Sequence, residues 1–292
     1  AEKDISNELT KISWLDGIAF TGSGAAAKQI NLNLANMDGP IRTLIAETGG
    51  QNAMFVDSSA LKEQVVDDIV RSSFLSAGQR CSALRAVFVQ EEVADEYWEY
   101  LSEAIRELSI GDPNLPETDI GPIINEASLK KLQDHKATMK DRGKIMVEAA
   151  ESIPKNGYFF NPTAIRIDSI DEIDGEKFGP ILHFISFASV KLDEAIDEVN
   201  KTGYGLTMGA HTRILEKAKK IFKKGKIGNF YLNRDIVGAV VGVQPFGGQG
   251  LSGTGPKAGG PNYLHSFVVE KTFTDNVMAT GGNIDLLNKN NE

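Results

Sequence analysis

The stretch GIAFTGSGAAAKQINLNLANMDGPIRTLIA, residues 17–46, decides the fold class. Residues 17–20 form a short apolar run typical of a strand, and a glycine-rich turn follows it. Residues 25–37 have a helix-forming composition, with apolar side chains at helical spacing, until Asp38-Gly39-Pro40 ends the helix. Strand character resumes over residues 41–46. This order of strand, helix and strand predicts a parallel sheet.

The same alternation continues along the rest of the chain. Helical periodicity predicts further helices, and apolar runs predict further strands. The predicted helices cover residues 64–74, 93–108, 128–142, 192–199 and 216–226, and the predicted strands cover residues 86–90 and 181–187. The fold class is therefore α/β with a parallel-sheet core.

A glycine-rich segment lies near the end of the chain. Residues 242–260 hold eight glycines in nineteen positions, a density that a packed helix does not tolerate. Pro245, Phe246 and Leu251 are interleaved with these glycines. We therefore expect an ordered loop close to a ligand rather than a flexible linker.

The composition is that of a globular protein. The 292 residues are 41% hydrophobic and 24% charged, which excludes a disordered or fibrous chain. The net charge of −9 argues against nucleic acid as a partner. No apolar run is long enough to span a bilayer, so we expect no membrane contact from this segment. The single cysteine, Cys81, favours a reducing compartment such as the cytoplasm, and the four histidines lack the spacing of metal ligands.

The turn after the first strand is a candidate phosphate site. Gly22, Ser23 and the residues after them satisfy the pattern G-x-G-x-x-A between a strand and a helix. Such a turn directs backbone N–H groups and a helix N-terminus at a phosphate, although an ordinary tight turn has the same pattern. The acid that a dinucleotide site requires further on has a candidate in Glu47, 25 residues past Gly22. Its neighbours, Thr48-Gly49-Gly50, instead indicate a mobile carboxylate that other backbone approaches closely.

The sole cysteine is a candidate nucleophile. Cys81 follows Gly78-Gln79-Arg80, so a glycine and a positive charge lie beside it. A thiol reacts as the thiolate, which nearby positive charge favours. When each position is considered alone, Cys81 could instead be a buried structural cysteine, and Glu47 could be an acid at the surface.

Five motifs in order resemble the aldehyde dehydrogenase superfamily and extend over most of the chain. They are Phe20-Thr21-Gly22-Ser23, the pair Glu47-Thr48-Gly49-Gly50 and Gly78-Gln79-Arg80-Cys81, Glu176-Lys177-Phe178-Gly179-Pro180, Gly203-Tyr204-Gly205-Leu206, and Pro245-Phe246-Gly247-Gly248. Residues 81–85 (CSALR), 238–246 (GAVVGVQPF) and 252–261 (SGTGPKAGGP) are similar to the L-glutamate γ-semialdehyde (1-pyrroline-5-carboxylate) dehydrogenase branch. Within it, the nearest resemblance is to the dehydrogenase half of the bifunctional proline utilization A enzymes. Their family tail resembles residues 279–283 (ATGGN).

The resemblance implies an NAD-dependent aldehyde oxidation and a role for each matching residue. Cys81 would form a thiohemiacetal and then a thioester, and Glu47 would activate the water that hydrolyses it. The residues implied to bind the cofactor are Gly22, Ser23, Gly49, Glu176 and Phe178. The residues implied to bind the substrate are Ser82, Gly238, Ala239 and Phe246, the two amides of Gly238 and Ala239 receiving the carboxylate of an amino-acid aldehyde.

The resemblance also implies how the chain is organised. Residues 1–46 would be the C-terminal remnant of a Rossmann-type NAD domain, residues 47–242 the catalytic domain, and residues 243–292 a glycine-rich substrate and cofactor loop with an oligomerisation tail. The residues after Val268 are candidates for a dimer contact. We expect little turnover from this segment alone, because the rest of the cofactor domain is missing, and we expect neither FAD nor a metal on it. The alternatives are an aldehyde dehydrogenase of another specificity and a non-catalytic assembly segment.

Overall fold

The protein is described by a computed structural model over residues 8–9, 11–150, 153–240 and 242–276. The tail motif at residues 279–283 therefore lies outside the described residues. Every helix and strand predicted above is present, and their ends differ from the predicted ones by at most two residues.

Helices and strands alternate along the chain. The helices are α1 (Gly24–Ala35), α2 (Lys62–Phe74), α3 (Glu91–Arg106), α4 (Glu126–Asp141), α5 (Leu192–Lys201) and α6 (Leu215–Lys224). The strands are β1 (Gly17–Thr21), β2 (Thr43–Glu47), β3 (Asn52–Val56), β4 (Leu84–Gln90), β5 (Met146–Glu148), β6 (Thr163–Arg166), β7 (Ile181–Phe187), β8 (Tyr204–Gly205), β9 (Thr207–His211), β10 (Asn229–Leu232) and β11 (Gln249–Gly250). Short 3₁₀ turns occupy Leu75–Gly78, Ile170–Glu172, Ser189–Lys191 and Leu264–Phe267.

The main sheet confirms the predicted parallel core. Its seven strands follow the order β10-β9-β3-β4-β7-β6-β5, and all neighbours are parallel except β5 and β6. A separate parallel pair joins β1 to β2 across α1, which is the unit predicted from residues 17–46. A short antiparallel pair joins β8 to β11, and β11 lies in the glycine-rich loop.

The core lies around the centre of the main sheet. Strands β3 and β4 are buried at every position, because helices cover both faces of a parallel sheet. The inner face of α3 presents Tyr97, Leu101 and Ile105 to this core. No helix among the described residues is long and apolar enough to cross a membrane.

Several strands escaped sequence analysis. Strands β3, β9 and β10 are four or five residues long, too short for a distinctive period. Strand β2 begins at Thr43 rather than at residue 41, because the Arg42 guanidinium donates to the carbonyls of Leu15, Asp38 and Pro40. Ile41 is consequently left exposed.

Candidate active site

Ten of the eleven predicted site residues line one cavity of about 1350 Å³. These are Gly22, Ser23, Gly49, Cys81, Ser82, Glu176, Phe178, Gly238, Ala239 and Phe246. Glu47, the eleventh, does not line the cavity. The cavity lies between the carboxyl end of the β1–β2 pair and the amino edge of the main sheet, where Cys81 precedes β4 and Glu176 precedes β7.

A tight turn presents Cys81. Ser76, Ala77 and Gly78 have φ of 56°, 53° and 63°, so three consecutive residues adopt the left-handed conformation. At Gly78 only glycine fits, since a Cβ would overlap the Gly179 carbonyl. This turn carries the chain from α2 into the start of β4, and Cys81 lies on the cavity side of it.

Asn52 holds the far side of the Cys81 loop. Its amide nitrogen donates to the carbonyls of Cys81 at 2.7 Å and Ala83 at 2.8 Å, and its Oδ1 accepts from the Thr207 amide at 3.1 Å. Gly50 leaves room for this contact, because a Cβ there would lie 2.5 Å from Asn52 Oδ1. The second glycine after Glu47 therefore makes room for the residue that holds the Cys81 loop.

The surroundings of Cys81 include groups that raise the pKa of its thiol and groups that lower it. Burial, followed by the Glu176 charge, raises the pKa of Cys81. The backbone amides of Ser82 and Cys81 oppose this rise, since they donate to the sulfur and favour the thiolate. Ser82 is buried beside Cys81 on the same cavity wall.

The first glycine after Glu47 makes room for Glu176. A Cβ on Gly49 would overlap the Glu176 carboxylate, and the Gly50 amide donates to that carboxylate. Burial raises the pKa of Glu176, while the nearby Arg85 charge opposes the rise. Phe178 follows on the same cavity wall with 43% of its surface exposed.

The predicted phosphate turn has the geometry of a helix cap. Ser23 is the N-cap of α1, and its Oγ accepts from the Ala26 amide at 3.2 Å. The Gly22 amide donates to the Glu47 carbonyl at 3.1 Å, which ties the turn to the end of β2. The first turn of α1 thus faces the cavity with its N-terminus.

The Gly238-Ala239 pair reaches the cavity by a return path along the main sheet. Asn233 binds Thr212 at the carboxyl end of β9, and the Ile236 amide donates to Ser72 Oγ at 3.1 Å. Gly238 then turns with φ of 75° and has open space where a Cβ would lie. This path runs back toward the amino edge and leaves the backbone of the pair open to a ligand.

The glycine-rich loop contributes Phe246 to the opposite wall. Phe246 and Ala258 exchange two backbone hydrogen bonds at 3.0 and 2.8 Å, so the segment is an ordered loop as expected. The Lys257 ammonium donates to the Gly228 carbonyl and anchors the same loop to the main fold.

Glu47 is near the cavity but turned into this loop. Its Oε2 accepts from the Gly248 amide at 3.0 Å, and its Oε1 is buried without a partner among the described residues. Burial raises the pKa of Glu47, against the Gly248 hydrogen bond and the Lys257 charge. The carboxylate that we expected to be mobile is held in the structure by the loop.

Four polar residues at or beneath the cavity, Asn52, Arg85, His135 and His183, had no role predicted from the sequence. Asn52 and Arg85 were missed, although Asn52 begins an otherwise apolar strand and every other residue from Leu84 to Val89 around Arg85 is apolar, which is a usable signal. His135 and His183 are 48 residues apart, yet their Nε2 atoms lie 2.8 Å from each other. Nothing in the spacing of these histidines could have indicated the contact.

The histidine pair has a defined proton arrangement. His183 Nδ1 lies 2.9 Å from the Arg85 carbonyl, which only accepts, so this nitrogen carries the hydrogen. His183 Nε2 is therefore the acceptor, and His135 Nε2 donates to it. Burial lowers the pKa of His183 to about 3 and that of His135 to about 4, so both rings are neutral at pH 7. No group of three or more metal-ligating side chains occurs within the described part of the chain.

Comparison with known proteins places this geometry in a family. The sequence profile of the aldehyde dehydrogenase family matches residues 1–273. The bifunctional protein PutA of Klebsiella aerogenes is 47% identical over 266 residues, which are 88% of this chain and 20% of that protein. The 1-pyrroline-5-carboxylate dehydrogenase of Geobacillus thermodenitrificans is 35% identical over 264 residues, or 88% of this chain and 50% of that enzyme.

Solved structures of the same two kinds of protein superpose on this chain. A crystal structure of a bifunctional proline utilization A protein superposes with a TM-score of 0.90 at 47% identity, over 96% of this chain and 28% of that one. The 1-pyrroline-5-carboxylate dehydrogenase from Thermus with bound NAD superposes with a TM-score of 0.84 at 29% identity, over 91% of this chain and 52% of that one. The chain thus spans between about a fifth and a half of the length of these relatives. This chain belongs to the aldehyde dehydrogenase family.

Proposed function

We propose that the protein oxidises L-glutamate γ-semialdehyde to L-glutamate with NAD, and that this chain supplies the nucleophile and the substrate site. The observation that carries the proposal is the meeting of Cys81, Glu176 and the Gly238-Ala239 backbone on one cavity. The names of the relatives, PutA and 1-pyrroline-5-carboxylate dehydrogenase, support the substrate.

The residues present fit the nicotinamide half of NAD. The Glu176 carboxylate faces the cavity beside a glycine that must lack a side chain, so its free lone pairs are available to ribose hydroxyls. The Ser23 turn offers a helix N-terminus to the pyrophosphate. Gly22, Gly49 and Phe178 would complete this side of the site by shape. When bound, NAD supplies the acceptor for the hydride of the aldehyde carbon.

Cys81 would be the nucleophile. Its thiolate adds to the carbonyl carbon of the aldehyde, and the acyl group is then carried on sulfur as a thioester. The amides of Cys81 and Ser82, which donate to the sulfur, favour the reactive form against the burial that opposes it. The tight turn and Asn52 hold the backbone of the Cys81 loop, which limits the positions that the thiol can take and so favours a productive approach to the aldehyde.

The substrate carboxylate would bind at the backbone of Gly238 and Ala239. Because Gly238 has no side chain and the space beside it is open, an anion can approach both amides closely. The Ser82 hydroxyl lies on the same wall and would donate a further hydrogen bond, while Phe246 would pack on the aliphatic stem.

Glu47 would take a proton from the water that attacks the thioester. The pKa of its carboxyl group is raised by burial, which brings it closer to the range where a general base works at neutral pH. In the structure the carboxylate is bound to Gly248, so hydrolysis requires that it leave this loop and turn into the cavity.

The residues after Val268 would pair with a second subunit. Val268, Val269 and Phe273 are 66%, 85% and 89% exposed, and residues 268–276 form neither helix nor strand. A Phe273→Asp variant should weaken a dimer of the full-length protein in light-scattering measurements, and an unchanged mass would contradict this role.

The proposed activity is tested with two aldehydes and one variant of the full-length protein. We expect NAD-dependent oxidation of L-glutamate γ-semialdehyde with a kcat/KM at least about a hundredfold above that of acetaldehyde. Ser82→Ala should lower this ratio by about tenfold, because the variant loses a hydrogen bond to the carboxylate of L-glutamate γ-semialdehyde that acetaldehyde cannot make. Equal kcat/KM for both aldehydes would favour an aldehyde dehydrogenase of another specificity, and Cys81→Ser should abolish turnover of either.

A further inference from the structure

The guanidinium of Arg85 is a buried cation that the reaction chemistry above leaves without a role. Arg85 is the second residue of β4 and is 1% exposed, while every other residue from Leu84 to Val89 is apolar. A buried charge is retained only where it is paired and hydrogen-bonded. The partners of this side chain therefore indicate what it does.

Two of its partners belong to the turn that presents the nucleophile. Arg85 Nη1 donates to the Gly78 carbonyl at 2.8 Å, and Nη2 donates to the Arg80 carbonyl at 3.1 Å. The turn includes Ser76 and Ala77 in the left-handed conformation, which residues with a side chain adopt only where the surroundings hold them. Arg85 is one of the groups that hold this backbone.

The other two partners belong to the element that carries Glu176. Nη1 also donates to the Gly179 carbonyl at 3.1 Å, and Nη2 lies 3.4 Å from Glu176 Oε1. The Phe178 ring lies 5.3 Å from the guanidinium carbon. Arg85 thus joins two segments that are about a hundred residues apart in sequence, through both ends of one planar fork.

The charge of Arg85 acts on both functional groups. Glu176 raises the pKa of the Cys81 thiol, and Arg85 is the cation that faces Glu176. The charges of Arg85 and Cys81 also interact directly, and Glu47 and Tyr231 are further titratable groups that act on the thiol. Without the guanidinium, the negative charge of Glu176 would act on Cys81 uncompensated.

We propose that Arg85 is a positioning residue that locks the nucleophile turn to the Glu176 element, so that the reactivity of Cys81 and cofactor binding at Glu176 change together. The first half of this inference stands on the geometry alone, and the second half rests on the proposed function. Arg85 touches neither substrate nor cofactor in this role; it acts through the two groups that do.

The test compares Arg85→Met with a matched control in the full-length protein. Arg166→Met is the control, because Arg166 is also a strand residue that pairs with an acid, Asp95, and lies over an aromatic ring, Trp98. The readout is the pH at which alkylation of Cys81 by iodoacetamide reaches half its maximal rate. We expect R85M to raise this pH by at least about one unit and R166M to leave it unchanged. The same midpoint in R85M and wild type would overturn the inference.

Arg85→Lys keeps the charge but loses the fork, so it tests the geometric part and covers the case in which R85M does not fold. We expect its alkylation midpoint to lie between those of wild type and R85M, and its NAD affinity to fall by about tenfold relative to Arg166→Lys. An unchanged midpoint together with an unchanged NAD affinity would overturn the inference. Alkylation requires no turnover, so a protein without dehydrogenase activity that still shows the midpoint shift would contradict the proposed function and leave the role of Arg85 intact.

Discussion

The Glu47 carboxylate accepts a hydrogen bond from the Gly248 amide at 3.0 Å and is not among the groups that line the cavity onto which Cys81 opens. Glycines surround this position: a Cβ on Gly247 would lie 2.7 Å from Glu47 Oε1, and one on Gly253 would lie 3.1 Å from it. Three glycines of the late loop therefore form a cradle for one carboxylate. The cradle holds the group that is expected to activate water while leaving the cavity free for substrate.

Glu47→Gln should separate acylation from hydrolysis. Glutamine retains an oxygen that can accept from Gly248, so the loop should remain in place, but it cannot take a proton from water. We expect steady-state turnover of the full-length protein to fall by about 10²–10⁴-fold, while alkylation of Cys81 stays within about twofold of wild type. Steady-state kinetics and an alkylation time course measure the two effects.

Glu148→Gln is a suitable control for that variant. Glu148 is a partly exposed acid paired with Lys136 and is not among the residues that line the cavity. Its replacement should leave turnover unchanged. Turnover of E47Q close to that of wild type would show that another group activates water.

Gly49→Ala should impair cofactor binding strongly, although it adds only one methyl group. The added methyl group would overlap the Glu176 carboxylate, which must then shift from its contacts with Arg85 and Gly50. We expect KM for NAD to rise by at least about tenfold with a smaller change in kcat. Gly121→Ala is the control, since its Cβ would make only ordinary contact with Pro113, at 3.4 Å. Equal KM values for NAD in the two variants would contradict the proposed role of Gly49.

Much of the fold could be predicted because its signals are local. The β1-α1-β2 unit is encoded in thirty-one consecutive residues, with Ser23 as the cap at the start of α1 and Asp38-Gly39-Pro40 after its end. The cavity residues could be named from short motifs, and the structure brings ten of them together. The roles of those ten residues remain predictions.

Many of the contacts that fix the site geometry could not be predicted, because they join residues far apart in sequence. Asn52 reaches the Cys81 loop across 29 positions, and Arg85 reaches Gly179 across 94. The orientation of Glu47 depends on Gly248, 201 residues away. A local pattern states what a residue can do chemically, whereas these pairings depend on how distant segments pack.

Asn52→Asp should destabilise the protein although it changes one atom. The new carboxylate cannot donate to the carbonyls of Cys81 and Ala83, and it places a buried charge against two acceptors. We expect the free energy of unfolding to fall by about 3–5 kcal/mol and Cys81 alkylation to slow. Asn161→Asp, which loses one hydrogen bond to the Ala149 carbonyl, should reduce it by about 1 kcal/mol. Urea denaturation measures both, and equal losses would show that Asn52 is an ordinary buried amide.

His135→Gln should make the stability of the protein less sensitive to acid. Burial lowers the pKa of His135 from an ordinary value near 6.5 to about 4, so the unfolded chain binds more protons in the window between these values. The contribution of neutral His135 to the free energy of unfolding is therefore fully present above this window. It is lost as the pH falls through the window, by about 2 kcal/mol between pH 7 and pH 5. Glutamine can still donate to His183 Nε2 but does not titrate, so the variant should lose about 2 kcal/mol less than wild type over that interval.

Urea denaturation at the two pH values measures the difference, with the exposed His265→Gln variant as control. A loss as large in H135Q as in wild type would mean that His135 is not held neutral by burial.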